Sequence, residues 1–451
     1  MKSLVSICKT FRFVLFPFFR RTAVINLCRP CSYVDAPIPI DHRRMVTSLT
    51  VRMGSRLQKW DYDDSINLHF SNLADFSNLV EFHWAQPYHI SKEIYLFLRS
   101  HSTLRDLKIE SEYDVLSESF LGNLNLPPPQ CALSMASIEN HDIMKDIFRH
   151  GSASNRTITH LVIADAYLLQ ALDAETAFPS LVHIDLRLSF GKLYLPFLFK
   201  FLDSNPTLER ITIRAWAANP CTRTHAGRIP TLPRLKYFIA EAASHSPFLS
   251  LVFGKRTLDT LSLGGLLLNG EEIQRIPWSG LKDFEVSLED IAAQNALIET
   301  LGSSREMAWR KVTIRSARLE TWTENLDVSN TPVLDKLSMI QIDSYQVLHK
   351  FLTAMANKIT HLTHLYIVSL FNFENHANKP DDGEAIRSLQ GVAERLDAFP
   401  GCVEVMVSSR TGMRFIRFLR RRAGEELPPS FEWIRELGGF RVQIKGWIHQ
   451  N

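Results

Sequence analysis

A short apolar motif recurs along most of the chain and constrains its fold more than any other feature. The motif has apolar residues at positions 1, 4 and 6, and variable residues at positions 2, 3 and 5. The copies begin at Val46, Leu79, Leu104, Leu133, Ile158, Leu181, Leu208, Leu235, Leu258, Leu281, Trp309, Leu334, Leu362 and Cys402. From Leu79 to Leu362 consecutive copies start 23 to 29 residues apart, and such a period is typical of stacked-repeat solenoids.

The spacing within the motif predicts a β-strand with one buried face. Residues at positions 4 and 6, such as Leu107 and Ile109, lie two apart and should point inward, whereas positions 3, 5 and 7 should point outward. One such strand cannot bury its apolar face alone, so neighbouring repeats must stack and share a core. Each interval is long enough for the crossover that joins two parallel strands. We therefore predict a parallel sheet.

Several intervals also carry helix-like apolar stripes. They cover Ile90 to Leu98, Leu193 to Leu202 and Val347 to Ile359. The first two lead into similar segments, FLRSHSTLRDLKI from Phe97 and FLDSNPTLERITI from Phe201, whose polar residues should end the helix and turn the chain into the strand. Alternating helices and strands predict an α/β fold, an open horseshoe with a concave sheet and a helical convex side.

The repeats over residues 46–408 resemble leucine-rich repeats, without the Asn or Cys ladder of the most regular families. In this irregularity they are similar to the repeats of F-box and leucine-rich-repeat proteins of mushroom-forming fungi. That resemblance implies an intracellular protein that binds another protein.

The N-terminal segment LVSICKTFRFVLFPFFRRTAVI resembles the last helix of an F-box and the strand that leaves it. The matching residues are Leu4, Val5, Cys8, Lys9, Phe11, Arg12, Pro17, Phe19 and Arg20. The resemblance assigns residues 1–30 to an F-box remnant and residues 31–45 to a linker. It further implies that a Skp-type adaptor docks on Leu4, Val5, Cys8, Phe11 and Arg12.

An F-box also has a Leu-Pro motif and two earlier helices, which do not occur between Met1 and this segment. Two explanations stay open. Either the gene extends further at its 5′ end, or the protein has lost most of the box and keeps the repeats.

Outward strand positions provide the candidate partner-binding residues, because solenoids bind partners through the concave face. These residues are Asp106, Lys108, His183, Asp185, Arg187, Arg210, Arg214, Tyr237, Asp283, Glu285, Lys311, Arg315, His364 and Tyr366. Tyr and Arg are the most frequent interface anchors, which favours Tyr237, Tyr366, Arg210 and Arg214. The alternative role is charge pairing across strands on a solvated sheet.

The C-terminal stretch GMRFIRFLRRRAGEEL alternates apolar residues with Arg414, Arg417, Arg420, Arg421 and Arg422. This pattern predicts a basic amphipathic helix within a terminal segment, residues 409–451, that caps the last repeat. Contact with nucleic acid or a membrane, and nuclear import, are the alternatives.

Composition and charge favour an intracellular binding protein. The chain has 51 basic and 48 acidic residues, a formal net charge of +3, so no chain-wide field attracts polyanions. Six scattered cysteines indicate reduced thiols rather than a disulfide framework. Lys9 and Arg12 interrupt the apolar stretch from Leu4 to Phe19, which argues against secretion or a membrane span. We expect a cytoplasmic or nuclear protein, with a mitochondrial presequence as a minor alternative.

Catalytic motifs are absent from the sequence. It contains no GxSxG, HExxH, P-loop or GxGxxG arrangement in a suitable context. We therefore expect no enzymatic activity, cofactor or metal. Taken with the resemblance, the sequence predicts a substrate-recognition subunit of a cullin-RING ubiquitin ligase; the alternative is an interaction scaffold without a ligase role.

Overall fold

The fold was analysed in a computed structural model of the chain. The structure describes residues 21–27, 38, 40–53, 70, 72–85, 90–110, 126–164, 168, 172, 177–188, 195–215, 229–242, 247–255, 258–288, 291–303, 311–316, 339–342, 364–369, 404–409, 414–420, 435–437 and 440–446. The chain divides into an N-terminal unit (residues 1–217 and 223–235) and a C-terminal unit (residues 218–222 and 236–451).

The N-terminal unit is built on parallel strands that neighbour one another in chain order. They are β1 (Thr22–Leu27), β2 (Ser48–Met53), β3 (Glu81–Ala85), β4 (Asp106–Glu110), β5 (Met135–Ile138), β6 (His160–Ile163), β7 (His183–Leu188) and β8 (Arg210–Ala215). Every consecutive pair from β1 to β8 is parallel. The predicted parallel stacking is therefore confirmed here, and β1 lies at an edge of the sheet.

The C-terminal unit contains two strand arrangements. The first is parallel and comprises β9 (Tyr237–Ala242), β10 (Thr260–Leu268), β11 (Asp283–Leu288) and β12 (Lys311–Ser316). The second comprises β13 (Met339–Ile342), β14 (His364–Ser369), β15 (Glu404–Ser409), β16 (Arg414–Arg420), β17 (Arg435–Leu437) and β18 (Phe440–Gly446). Its order is β13-β14-β15-β16-β18-β17, parallel up to β15 and antiparallel beyond it.

Helices and 3-10 turns occupy several of the intervals between strands. The helices are α1 (Ile40–Arg43), α2 (Lys92–Ser100), α3 (His141–Ile147), α4 (Ser154–Thr157), α5 (Leu195–Asp203), α6 (Gly270–Arg275) and α7 (Ile291–Ser303). Short 3-10 turns cover Leu73–Asp75, Pro247–Leu251 and Trp278–Gly280. The helices predicted at 90–98 and 193–202 are confirmed as α2 and α5; the stripe at 347–359 lies outside the described residues.

Burial along the strands follows the motif. In β3 and β4 exposed or half-buried residues alternate with buried ones, and Leu107 and Ile109 are 1% and 0% exposed. Trp84, at position 6 of its motif, is fully buried. The strands thus have an apolar inner face, formed by positions 4 and 6, and an outer face, formed by positions 3, 5 and 7.

The sheet begins one strand earlier than the motif predicts. Strand β1 pairs with β2 from Thr22 opposite Ser48 to Leu27 opposite Met53. In this register position 1 would be Arg20 and position 4 would be Ala23, so the apolar template fails although Ile25 is buried. The strand assigned to the end of the F-box remnant is therefore the first strand of the repeat sheet.

The motif predicted to begin at Leu334 has the wrong starting residue. Met339 lies opposite His364, the first residue of β14, which places position 1 at Leu337 instead. The sequence fits the template in both registers, because Leu334, Leu337 and Met339 and then Leu337, Ile340 and Ile342 have the same spacing. Pairing with the neighbouring strand selects the second register.

The predicted C-terminal basic helix is wrong. Arg414–Arg420 forms strand β16, which pairs antiparallel with β15 from Glu404 opposite Leu419 to Ser408 opposite Phe415. Only residues 410–413 connect the two strands, too few for a parallel crossover but enough for a hairpin. Phe and Ile also favour a strand that can pair on both sides. The parallel stack therefore ends in antiparallel strands.

Threonine hydroxyl groups link successive repeats at the turns before β4, β6 and β8. Three threonines directly precede position 1, and each donates a hydrogen bond to the carbonyl of the position-1 residue one repeat earlier. The pairs are Thr103 to Leu79 at 2.7 Å, Thr157 to Leu133 at 2.7 Å and Thr207 to Leu181 at 2.8 Å. These bonds satisfy backbone carbonyls that a turn would leave unpaired. They join neighbouring turns without the regular Asn or Cys ladder.

A buried polar side chain in the same turn reinforces this link. Asn205 is 1% exposed; its Oδ1 accepts from the Phe178 backbone N–H at 2.7 Å, and its Nδ2 donates to the Phe201 carbonyl at 2.7 Å. At the equivalent place His101 is 8% exposed and its Nε2 lies 2.8 Å from the Phe76 carbonyl oxygen. The two similar sequence segments therefore contact the backbone of the equivalent phenylalanine one repeat earlier, Asn205 at its N–H and His101 at its carbonyl oxygen.

We expect Asn205→Ala to lower the free energy of unfolding by about 1–3 kcal/mol, because it leaves a buried N–H and a carbonyl unpaired. Urea denaturation followed by circular dichroism measures this loss. Asn78→Ala is the matched control, since the Asn78 amide donates to the Arg44 carbonyl in an exposed position. Equal losses in the two variants would contradict a structural role specific to Asn205.

Candidate protein-binding face

The outer face of β5–β8 contains a row of small side chains at position 5. Ser137, Val162, Asp185 and Thr212 lie there, each at most 6% exposed. Position 3 on the same strands carries longer side chains, and so does position 7 on β7 and β8; these residues are Met135, His160, His183, Arg210, Arg187 and Arg214. The row is therefore covered although it lies on the outer face, and its flanking residues form the surface that a partner meets.

Two histidines stack at position 3 of β6 and β7. His160 lies opposite His183, with ring centroids 4.0 Å apart and planes 15° from parallel. Burial, then the adjacent His160 and Arg210, lower the pKa of His183 to about 4. Burial also lowers the pKa of His160, with Arg210 and Arg187 acting in the same direction. Both rings are therefore neutral near pH 7.

Asp185 is an acidic residue among arginines. Its Oδ2 lies 3.3 Å from Nε of Arg187 and 3.7 Å from Nη1 of Arg214, while the whole residue is 6% exposed. Its Oδ1 is buried and has no hydrogen-bond partner among the described residues. The carboxylate thus holds both guanidinium groups at the surface of the sheet without being fully hydrogen-bonded itself.

The burial of His183 in the histidine stack should make the stability of the fold depend on pH. Because the pKa of folded His183 is about 4 and that of an unfolded histidine is about 6.5, the unfolded state binds more protons below pH 6.5. Protonation of His183 therefore has no effect on the free energy of unfolding well above pH 6.5. It lowers that free energy as the pH drops from about 6.5 to about 4. An NMR titration should give a His183 midpoint of about 4.

The matched variant for this titration is His160→Gln, which removes one of the neighbours that disfavour a charged His183. We expect the His183 midpoint to rise in this variant. A wild-type midpoint near 6.5 would contradict the assigned environment.

A second polar group lies on β3 and β4. Nε2 of His83 lies 3.1 Å from Oε2 of Glu110, and Lys108 forms an ion pair with the same carboxylate. Although partial burial opposes ionisation, hydrogen bonds from Lys108 and His83 hold the pKa of Glu110 below its usual value. Asp106 accepts a hydrogen bond from Ser134 Oγ at 2.9 Å. Lys108 and Asp106 are therefore engaged in local polar contacts, Lys108 with a carboxylate on its own strand and Asp106 with a neutral hydroxyl group.

The remaining candidates lie in the C-terminal unit. Tyr237 is 38% exposed, and Glu285 accepts a hydrogen bond from Ser262 at 2.7 Å. In backbone register Asp283 lies opposite Lys311, so this acidic and this basic position are neighbours on adjacent strands, as charge pairing across strands requires. Lys311, Arg315, His364 and Tyr366 lie on described strands, but their side chains lie outside the description.

The structure brings together five of the predicted residues, His183, Asp185, Arg187, Arg210 and Arg214, on two adjacent strands. Sequence reasoning missed His160, which completes the histidine stack, and also missed His83 and Glu110. The signal for all three was available, since each occupies position 3, 5 or 7 of its own motif.

In the described part of the chain, no three His, Cys, Asp or Glu side chains are grouped to hold a metal ion. None of the helices in these ranges combines the length and apolar character needed to cross a bilayer.

The predicted adaptor-docking residues Leu4, Val5, Cys8, Phe11 and Arg12 lie outside the described residues.

The sequence was also compared with known proteins. It matches no protein-family model and no curated protein.

Proposed function

We propose that the chain is a protein-recognition subunit that holds its partner on the outer face of the strands. The observation that carries this proposal is the cluster on β6–β8, where Arg187, Arg210 and Arg214 surround a buried carboxylate and two stacked neutral imidazoles. Arginine is enriched in interface anchors, and a rigid sheet presents such anchors with little loss of backbone entropy on binding.

Within this role, substrate recognition for a cullin-RING ubiquitin ligase is the specific function that we propose. The support is the resemblance of the N-terminal segment to the end of an F-box. A Skp-type adaptor would bind that segment and the outer face would hold the substrate, in the cytoplasm or nucleus. The chain would contribute proximity and orientation, while the partner enzymes would carry out the chemistry.

Co-precipitation with a Skp-type adaptor tests the ligase function. The informative truncation removes residues 1–20 only, because a deletion to residue 30 would also remove edge strand β1 and disturb the sheet. We expect the full chain to retain the adaptor, and expect the truncation and the Leu4→Asp/Phe11→Asp variant to lose it. Removal of residues 447–451 is the control and should leave adaptor binding unchanged.

The alternative is an interaction scaffold without a ligase role. It is supported by the same outer face, since the residues of the cluster on β6–β8 lie outside the F-box remnant. A full chain that fails to bind any Skp-type adaptor, in an assay where a complete F-box protein succeeds, would favour the scaffold and refute the ligase function.

A further inference from the structure

Three consecutive prolines lie in the crossover between β4 and β5. They are Pro127, Pro128 and Pro129, and they belong to residues 126–130, called the proline segment below, which form neither helix nor strand. Pro127 and Pro128 are exposed, whereas Pro129 is buried. The proline segment therefore presents two adjacent pyrrolidine rings to solvent, while the third ring is covered by the rest of the protein.

The sequence restricts the proline segment to an extended conformation. A proline ring fixes φ at about −65°, and a residue that precedes a proline avoids the helical region. Leu126, Pro127 and Pro128 each precede a proline, so all three favour the polyproline II helix. This conformation has no internal hydrogen bonds, and the two exposed prolines have no backbone N–H that would need a partner.

Hydrogen bonds fix both ends of the proline segment. At its start, Arg149 Nη2 donates to the Leu126 carbonyl at 2.7 Å. Arg99 Nη2 donates to the next carbonyl, that of Pro127, also at 2.7 Å. At the end of the segment, the Gln130 backbone N–H donates to the Arg99 carbonyl at 2.8 Å. The segment is therefore held in place before any partner binds.

One buried carboxylate holds the two guanidinium groups that contact the proline segment. Asp146, which is 8% exposed, accepts a hydrogen bond from Arg99 Nε at 2.8 Å and lies 3.6 Å from Arg149 Nε. These contacts fix the segment through its carbonyl groups and leave the Pro127 and Pro128 rings exposed. A segment ordered in advance loses little conformational entropy when a partner binds.

We propose that the proline segment is a docking site for a protein domain that binds polyproline II helices through an aromatic-lined groove. Such grooves recognise the preformed extended helix. Pro127 and Pro128 would enter the groove. Prolines three residues apart, the PxxP spacing, do not occur in the segment, so the groove must accept two adjacent rings. This surface is separate from the outer face of the strands and would bring a second protein to the chain.

Other modes of binding fit the proline segment less well. A partner strand would need backbone N–H groups to pair with, and the three prolines have none. A charged ligand would need side chains of opposite sign, and residues 126–130 contain no charged side chain. The exposed rings instead offer apolar faces, which suit the aromatic side chains of a groove.

An NMR titration tests the proposal. Isotope-labelled WW domains of differing sequence preference are titrated with the unlabelled full chain, and an SH3 domain that requires PxxP is the reference. We expect signals from the groove of at least one WW domain to shift or broaden, and expect no response once its groove tryptophan is replaced by alanine. The Pro127→Ala/Pro128→Ala variant should weaken this binding by about tenfold or more, because both rings that enter the groove are lost.

The matched control is Pro179→Ala/Pro206→Ala, which removes two exposed prolines that stand singly in turns. It should bind as the wild type does, with both variants folded by circular dichroism. Binding by no WW domain, binding by the SH3 domain alone, or equal weakening in the two variants would overturn the proposal. These measurements change neither residues 1–20 nor the outer face of the strands, so failure of the proposed function leaves this result unaffected.

Discussion

Asp146→Ala should lower the free energy of unfolding of the N-terminal unit by about 3–5 kcal/mol, the loss typical of removing one partner of a buried ion pair. Asp146 on α3 is 8% exposed and Arg99 on α2 is 5% exposed. Arg99 donates to the carboxylate through Nε at 2.8 Å and Nη2 at 3.1 Å. Without Asp146, a guanidinium would stay buried among apolar residues with its main counterion missing.

Tyr95 increases the cost of that substitution. Its hydroxyl donates to Asp146 Oδ2 at 2.6 Å, and its side chain is fully buried. Burial, followed by the hydrogen bond to Asp146, raises the pKa of Tyr95, so the phenol stays protonated and remains a donor. In Asp146→Ala the Tyr95 hydroxyl loses this acceptor, and Arg99 loses both carboxylate oxygens while keeping its hydrogen bond to the Pro127 carbonyl at 2.7 Å.

Urea denaturation followed by circular dichroism measures the loss. The control is Asp142→Ala, since Asp142 lies in the first turn of the same helix with a side chain 35% exposed and should contribute less than about 1 kcal/mol. A double-mutant cycle tests the mechanism, because Tyr95→Phe should cost much less in the Asp146→Ala background than in the wild type. Additive losses would show that Tyr95 and Asp146 do not act together.

Trp84→Ala should also lower the free energy of unfolding by about 3–5 kcal/mol, because it removes the largest fully buried side chain among the described residues and leaves a cavity. Trp84 lies on the inner face of β3, between Val51 of β2 and Ile109 of β4 in register. These branched side chains lie on paired strands and cannot move far enough to fill the space.

Trp84→Phe should recover part of the loss, because it leaves a smaller cavity. The control on the sheet is Val24→Ala, since Val24 lies on edge strand β1 and is 49% exposed. Its substitution should change the free energy of unfolding by less than about 0.5 kcal/mol. A Trp84→Ala loss no larger than that of Val24→Ala would mean that position 6 does not point into the core.

Much of the fold follows from local apolar spacing. A motif with apolar residues at positions 1, 4 and 6 predicts the inward direction of Leu107 and Ile109, because adjacent residues of a strand point to opposite faces. The repeat interval predicts parallel neighbours, because it provides a crossover. The failures are at the ends of the pattern, where β1 lacks an apolar position 1, β13 fits two registers, and β16 resembles an amphipathic helix.

The candidate site was only partly predictable, for a related reason. The motif identifies which residues share the outer face, so His183, Asp185 and Arg187 could be placed there from the sequence. It gives no measure of how far each is covered. Asp185 is nearly buried on a face expected to be solvated, because the long side chains of Arg187 and Arg214 lie against it.

By itself the sequence determined the period of the repeat, the parallel strands and the division of side chains between an apolar inner face and a polar outer face. Those features depend on local spacing, which the burial of apolar surface selects directly. The tertiary structure decided the register of β13, the strand at Arg414–Arg420, the contact of Arg99 with Asp146 and the stacking of His160 on His183. Each of these depends on a partner distant in the chain, and only the packed neighbours determine which of two locally acceptable arrangements has the lower free energy.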